Sequence, residues 1–229
     1  MPDFAAFAEK LDLRFSNINL LMEALTHRSY LNENRGAITT HNERLEFLGD
    51  AVLELAVTNF LFAKFPEKNE GDLTAYRASL VNTFSLADVA QDIGLNDQLL
   101  LSKGESKDVG RARQIILANA FEALLGSIYL DQGYDVVEAF LAKHLYSKIE
   151  DVIAKRSWQD AKSHFQEVAQ ERKNTTPHYK TLAEVGPDHS KQFTVGVFIG
   201  NDEIARGDGP SKQEAEQAAA HNALSKTGW

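Results

Sequence analysis

The chain of 229 residues has no cysteine, which removes disulfides and thiolate metal sites from consideration together. Any metal bound here must take oxygen or imidazole ligands. Long apolar runs are also missing: no stretch of about 18 uncharged apolar residues occurs, so no membrane-spanning helix is expected. The N-terminal MPDFAAFAEKLDLRF carries acids and lacks an uninterrupted apolar core, unlike a secretory signal. A cytoplasmic location is the default expectation. A surplus of positive charge is absent as well. The formal charge is −9, with −7 over residues 1–157 and −2 over the remainder. Neither half shows the basic surplus expected of a simple nucleic-acid-binding domain, so any such binding must rest on local patches and geometry.

What is present is an ordinary globular composition, 43% apolar and 25% charged, of a length that suits two modest domains. Residues 1–152 read as consecutive helices. LRFSNINLLMEALTHRSYL carries apolar residues at three- and four-residue spacing, with Asn17 or Ser16 as a cap. NERLEFLGDAVLELAVTNFLFAKF is a long amphipathic run stopped at Pro66. EGDLTAYRASLVNTFSLADVAQDIG ends at Gly94, and DVVEAFLAKHLYSKIEDVI closes the region. Between them IILANAFEALLGSIYLDQG is nearly all apolar and reads as a central buried helix. Residues 153–159 read as a polar linker. Residues 160–229 switch to a helix, three period-two segments and an alanine-rich helix begun by Ser211. The expected architecture is therefore an all-α domain followed by a small α+β unit of order α-β-β-β-α.

In the segment 41–50, Glu43, Glu46 and Asp50 fall on one helical stripe at i, i+3 and i+7, while Leu45, Leu48, Val52 and Leu55 take another face. Carboxylates at such spacing most often form a solvated face. Like charges three and four apart nevertheless destabilise a helix unless something neutralises them. In the apolar helix, Asn119 and Glu122 share a face, and a carboxylate there is costly unless paired or coordinated. Glu122 either pairs with a buried arginine such as Arg77 or joins Glu46, Asp50 and Asn119 around a cation. That oxygen-rich set suits Mg²⁺ or Mn²⁺ and would serve metal-assisted attack of water on a phosphate.

NERLEFLGD, residues 42–50, resembles in full the nine-residue signature of ribonuclease III. The resemblance continues through EGDLTAYRASLVN, LLLSKGE and ANAFEALLGSIYLDQG, and the C-terminal unit resembles a double-stranded-RNA-binding domain through FQEVAQ, GPDHSKQFTVGV and GPSKQEAEQAAA. It implies a catalytic domain over 1–152 that hydrolyses duplex RNA with Mg²⁺, Mn²⁺ substituting, to leave 5′-phosphates and short 3′ overhangs in ribosomal and messenger precursors. It implies Glu46, Asp50 and Glu122 as metal ligands and catalytic acids, and Glu43 and Glu70 as acids placing the substrate or a second metal. It also implies a homodimer in which Phe47 is an aromatic knob entering the partner; by residue type alone Phe47 reads as core. Asn119 stands where the family usually carries aspartate, so weaker metal affinity is expected, relieved by Asn119→Asp.

For RNA, the resemblance implies Gln166 and Glu167 at one minor groove, and Pro187, Asp188 and His189 at the next. Ser211, Lys212 and Gln213, at a helix N-terminus, would face the phosphates between. Gln213 replaces a usual second lysine. Lys212→Ala is expected to weaken binding at every sequence and to flatten its salt dependence. His27, Arg28 and Tyr30 read equally as an RNA contact or as helix-end packing. Two rival functions are a duplex-RNA-binding protein with cleavage impaired by Asn119, and an α-helical phosphohydrolase acting on small nucleotides. The latter is disfavoured because His41 is the only histidine near the acids.

Overall fold

The structure is a computed structural model that describes residues 2–34, 39–154, 161–187 and 191–229. It divides into two compact units, residues 1–158 and 159–229. The linker expected over 153–159 lies mostly outside the described residues.

The first unit is helical: α1 (Phe4–Lys10), α2 (Ile18–Ala24), α3 (Arg28–Glu33), α4 (Glu43–Lys64), α5 (Glu70–Leu80), α6 (Thr83–Asp92), α7 (Arg111–Gln132), α8 (Tyr134–His144) and α9 (Lys148–Ala154). Short 3₁₀ turns occupy Leu95–Gln98 and Glu105–Lys107. The expected helical regions are present, but three of them are broken. The run from Leu13 to Leu31 divides at Thr26 and His27, where the backbone turns to pair with Leu100. The run from Glu70 divides at Asn82, whose side chain caps α6 by accepting from the Ser85 N–H at 3.0 Å. Such local side-chain bonds offer the backbone an alternative to continuing the helix. The C-terminal run divides at 145–147 into α8 and α9.

The buried helix α7 forms the axis of the core. Leu117, Phe121, Leu124, Leu125 and Ile128 are almost fully enclosed, against Leu53, Val57 and Leu61 of α4 and Leu86 and Ala90 of α6. Of the expected apolar face of α4, Leu45 and Val52 are buried and Leu48 partly so, but Leu55 is exposed. It points away because α7 covers only a narrow stripe of α4.

The second unit runs α10 (Ala161–Lys173), β1 (His178–Val185), β2 (Gln192–Ile199), β3 (Asp202–Gly209) and α11 (Lys212–Thr227). The strands form an antiparallel sheet in the order β1-β2-β3. Ala215, Ala219, Ala220 and Ala223 make one buried stripe along α11, and with Phe165 and Val197 they build the core. Small side chains let α11 lie close to the sheet. Trp229 closes the end by stacking on Phe165 at 5.6 Å between ring centroids.

Candidate active site and RNA-binding surface

Helices α4 and α7 meet backbone to backbone, and two glycines make this possible. A β-carbon on Gly49 would lie 1.7 Å from the carbonyl oxygen of Glu122, and one on Gly126 would lie 2.3 Å from that of Leu45. Gly49 precedes Asp50, and Gly126 follows Glu122 by one turn. The crossing therefore sets the acidic stripe of α4 beside the polar face of α7.

The electrostatics follow from that adjacency. Burial pushes the Glu122 carboxyl up to about 7, and the neighbouring Asp50, Glu46 and Glu54 carboxylates push in the same direction. Burial likewise raises Glu46, with Glu43 and Asp50 adding repulsion, while a hydrogen bond from Asn119 acts against them. Asp50 is exposed and opens the group to solvent. Among the described residues no lysine, arginine or histidine comes within ion-pair distance of Glu46, Asp50 or Glu122. Arg77, the alternative partner for Glu122, instead binds Glu54 at 2.9 Å and donates to Thr58 Oγ1 at 2.8 Å.

The donors present are hard oxygens, three carboxylates and one amide, as a divalent magnesium-like cation requires. They are neighbours and not a closed cage: among the described residues no three acidic or histidine side chains converge tightly enough to enclose an ion.

The outlying positions behave differently. Glu43 is bound by Arg28 at 3.2 Å, with His41 at 3.9 Å. Glu70 begins α5, accepts from Thr74 Oγ1 at 3.2 Å, and lines a hollow with Thr58, Phe62 and Arg77, apart from the group formed by Glu46, Asp50 and Glu122. Phe47 is 81% exposed and itself helps line a concavity of about 610 Å³, together with Leu20, Glu23, His41, Leu48 and Leu130. Core burial is thus not its role within one chain. His27 and Tyr30 serve helix-end packing: His27 caps α3, whose Ser29 Oγ in turn accepts from the Ser102 N–H at 3.1 Å, and Tyr30 packs against the core.

In the second unit Gln166 and Glu167 are exposed on α10, and Pro187 is exposed after β1. Asp188 and His189 lie outside the described residues. Ser211 caps α11 by accepting from the Glu214 N–H at 3.2 Å, and Lys212 and Gln213 are exposed on its first turn. That end of α11 presents unpaired backbone N–H groups and the positive end of the helix dipole, which favour an anion whatever the net charge.

Residues 17–149 match the family model described as ribonuclease-III-like, and residues 161–227 match the double-stranded RNA binding motif. The chain belongs to the ribonuclease III family. It is 46% identical to "Ribonuclease 3" of Bacillus velezensis, over 99% of this chain and 90% of that protein. It is 48% identical to the Desulforamulus reducens protein of the same name, over 94% and 87%. Among solved structures it resembles the nuclease domain of ribonuclease III from Campylobacter jejuni, with a TM-score of 0.57 and 38% identity over 63% of this chain and 97% of that one. The protein is accordingly a ribonuclease III-type endoribonuclease acting on double-stranded RNA, and nothing in these likenesses favours a binding-only role.

Sequence reasoning passed over three features of this ribonuclease III. Glu54 extends the acidic stripe by one further turn and acts on Glu122 while held by Arg77; its i+4 spacing from Asp50 was the available signal. Gly49 and Gly126 set the helix crossing, and a glycine inside each of two long helices was the hint. Glu184 binds Lys212 at 2.9 Å; residues this far apart in the chain give no periodic signal of such a pairing.

Proposed function

We propose that Glu46, Asp50 and Glu122, with the amide oxygen of Asn119, hold a divalent cation, Mg²⁺ with Mn²⁺ able to substitute, at the phosphodiester to be cut. The observation that supports this most is Glu122: a largely buried carboxylate facing those of Asp50 and Glu46, with no cationic side chain in reach among the described residues. A divalent ion bound there would supply charge neutralisation for the phosphate and a water acidic enough to attack at neutral pH. The chain's own groups do the rest. Exposed Asp50 leaves the site open to the substrate backbone, Glu122 and Glu46 flank it, and the Asn119 amide favours the charged form of Glu46. Glu43, one turn before Glu46 and bound by Arg28, and Glu70, at the start of α5, act on the placing of substrate.

The same reading makes the protein a homodimer. An exposed phenylalanine together with the concavity it helps line is self-complementary about a two-fold axis, so Phe47 of each copy enters the concavity of the other. The Campylobacter jejuni nuclease domain has been described for flexibility in a region involved in dimer formation. Two sites related by a two-fold axis cut one strand each, leaving 5′-phosphates and short 3′ overhangs, in ribosomal and messenger RNA precursors in the cytoplasm. Gln166, Glu167, Pro187, Asp188 and His189 follow the minor grooves, and Ser211, Lys212 and Gln213 meet the phosphates between them. Among the described residues no helix is long and apolar enough to cross a membrane.

Incubating the purified protein with end-labelled long duplex RNA, in Mg²⁺ or in EDTA, tests the reading. Short 5′-phosphorylated products in Mg²⁺ alone, with single-stranded RNA of the same sequence left whole, are expected. Cleavage undiminished in EDTA would remove the metal from the reading, and binding without any cleavage would remove the chemistry.

A further inference from the structure

The first turn of α11 carries one cation, Lys212, and it is already engaged. Its Nζ lies 2.9 Å from Glu184 Oε1 near the end of β1, and 5.6 Å from the centre of the Phe193 ring at the start of β2. The other side chains of that turn offer no replacement: Gln213 is neutral and Glu214 is acidic. The next cation along α11, Lys226, lies in its last turn and donates to the Ile204 carbonyl at 2.8 Å.

We propose that Glu184 sets the RNA affinity of the second unit, by occupying the Lys212 ammonium in the free protein and competing with the RNA phosphate for it. This rests on the reading of Lys212 as a phosphate contact. A lysine ammonium is a compact charge with three donors, so a phosphate can approach while the carboxylate remains. It then sits well inside the ~8 Å screening length from a second anion. Either the two anions repel or the Lys212–Glu184 pair breaks, and both outcomes cost binding. Lys191 also acts on Glu184, which keeps the carboxylate charged. Lys212 and Glu184 are 58% and 41% exposed at the side chain, so the effect is modest. Exposed pairs of this kind shift an equilibrium by no more than about fivefold. The pairing also accounts for part of the missing basic character of this unit: the one cation at the helix end is balanced internally.

Glu184→Gln keeps the shape and removes the charge. Binding of the full chain to duplex RNA longer than the ~16 bp such a module spans is measured in EDTA, which holds cleavage off, across a salt series. Glu184→Gln is expected to bind about two- to fivefold tighter at low salt. Its dependence on salt should steepen by up to about one counterion, because no carboxylate is released on binding. In a Lys212→Ala background the gain should vanish. Unchanged or weaker binding by Glu184→Gln overturns the inference, weaker binding meaning that Glu184 positions Lys212 over Phe193. A gain that persists without Lys212 overturns it too, as a general charge effect. If Lys212→Ala alone leaves affinity and salt slope unaltered, the phosphate reading of Lys212 fails first and the inference falls with it. Thermal unfolding of each variant, with Glu184→Ala as a second removal of the charge, separates loss of folding from loss of binding.

Discussion

The two units use the same side chain in opposite ways. In the second, Glu184 and Glu203 are exposed and each has its own cation, Lys212 or Arg206, which holds the carboxyl below its ordinary value. In the first, Glu122 and Glu46 are partly buried, face other carboxylates, and are pushed upward, and no cationic side chain among the described residues pairs with either. A fold that needed these acids only for solubility would have placed them as Glu184 and Glu203 are placed. Concentrating uncompensated charge at the crossing of two core helices lowers stability, and that cost makes sense where a cation from solution completes the group.

The most direct way to break this contrast is Glu122→Gln, which keeps the shape and removes the charge with the strongest upward shift. Cleavage of duplex RNA in Mg²⁺ should fall by at least about 100-fold, since several kcal/mol of charge stabilisation depend on the ligand set. RNA binding in EDTA should be unchanged, because the second unit is untouched. Cleavage within a few-fold of the parent protein would show Glu122 to be an ordinary buried acid.

Next in size is the crossing itself. Gly126→Ala would place a methyl group 2.3 Å from the Leu45 carbonyl oxygen, so α4 must move off α7. Overpacking of this kind costs about 2 kcal/mol, or roughly 4–8 °C in melting temperature for a unit this size. Cleavage should fall further than stability alone explains, because Glu46 and Asp50 move relative to Glu122. A variant with lowered melting but full activity per folded molecule would mean that the crossing supports the fold and not the site.

What the sequence made legible follows the same division. Periodicity revealed the buried helix, the acidic stripe and the α-β-β-β-α order, because each is written in neighbours three, four or two residues apart. Helix breaks at Thr26 and Asn82 were hidden, since they depend on a distant strand-like contact and a single cap. Phe47 misleads by composition for a related reason: a phenylalanine in a helix next to apolar residues reads as core, and only the three-dimensional crossing shows α7 covering a different stripe. The site was half legible. Residue types singled out the acids and the amide of the proposed site, but the glycines that bring α4 and α7 together and the Arg77–Glu54 pair, which takes Arg77 away from Glu122, required the packing.

A smaller effect sharpens the comparison through pH. The folded-state value of Glu122, about 7, lies above its ordinary 4.5, so its stabilising contribution is complete below 4.5 and is lost as pH rises through 7. Metal-free protein should therefore lose about 1–2 kcal/mol between pH 5 and 8 from this group, after discounting for solvent screening. Half-buried His27 and His144 are shifted down and act with the opposite sign, since neutral histidine is favoured in the fold. Melting curves of the parent and Glu122→Gln, taken side by side in EDTA, cancel the histidine contribution. The gap between them should widen in favour of Glu122→Gln as pH rises, and a gap independent of pH would contradict the shift.

The smallest expected change comes from adding charge where there is already too much. The Asn119 amide favours the charged form of Glu46 and contributes no charge of its own. Asn119→Asp removes the amide and places a fourth carboxylate beside Glu46 and Glu122. Without metal, repulsion should lower the melting temperature by about 2–4 °C, a ~1 kcal/mol effect. With Mg²⁺ the sign reverses, because ligand charge raises affinity for a hard cation, and half-maximal cleavage should need roughly three- to tenfold less Mg²⁺. The opposite signs are the test, since a simple packing defect would lower stability in both conditions. An Asn119→Asp protein with unchanged melting in EDTA and an unchanged metal titration would place residue 119 outside the charged group, and the crowding that separates the first unit from the second would then stop at the three acids.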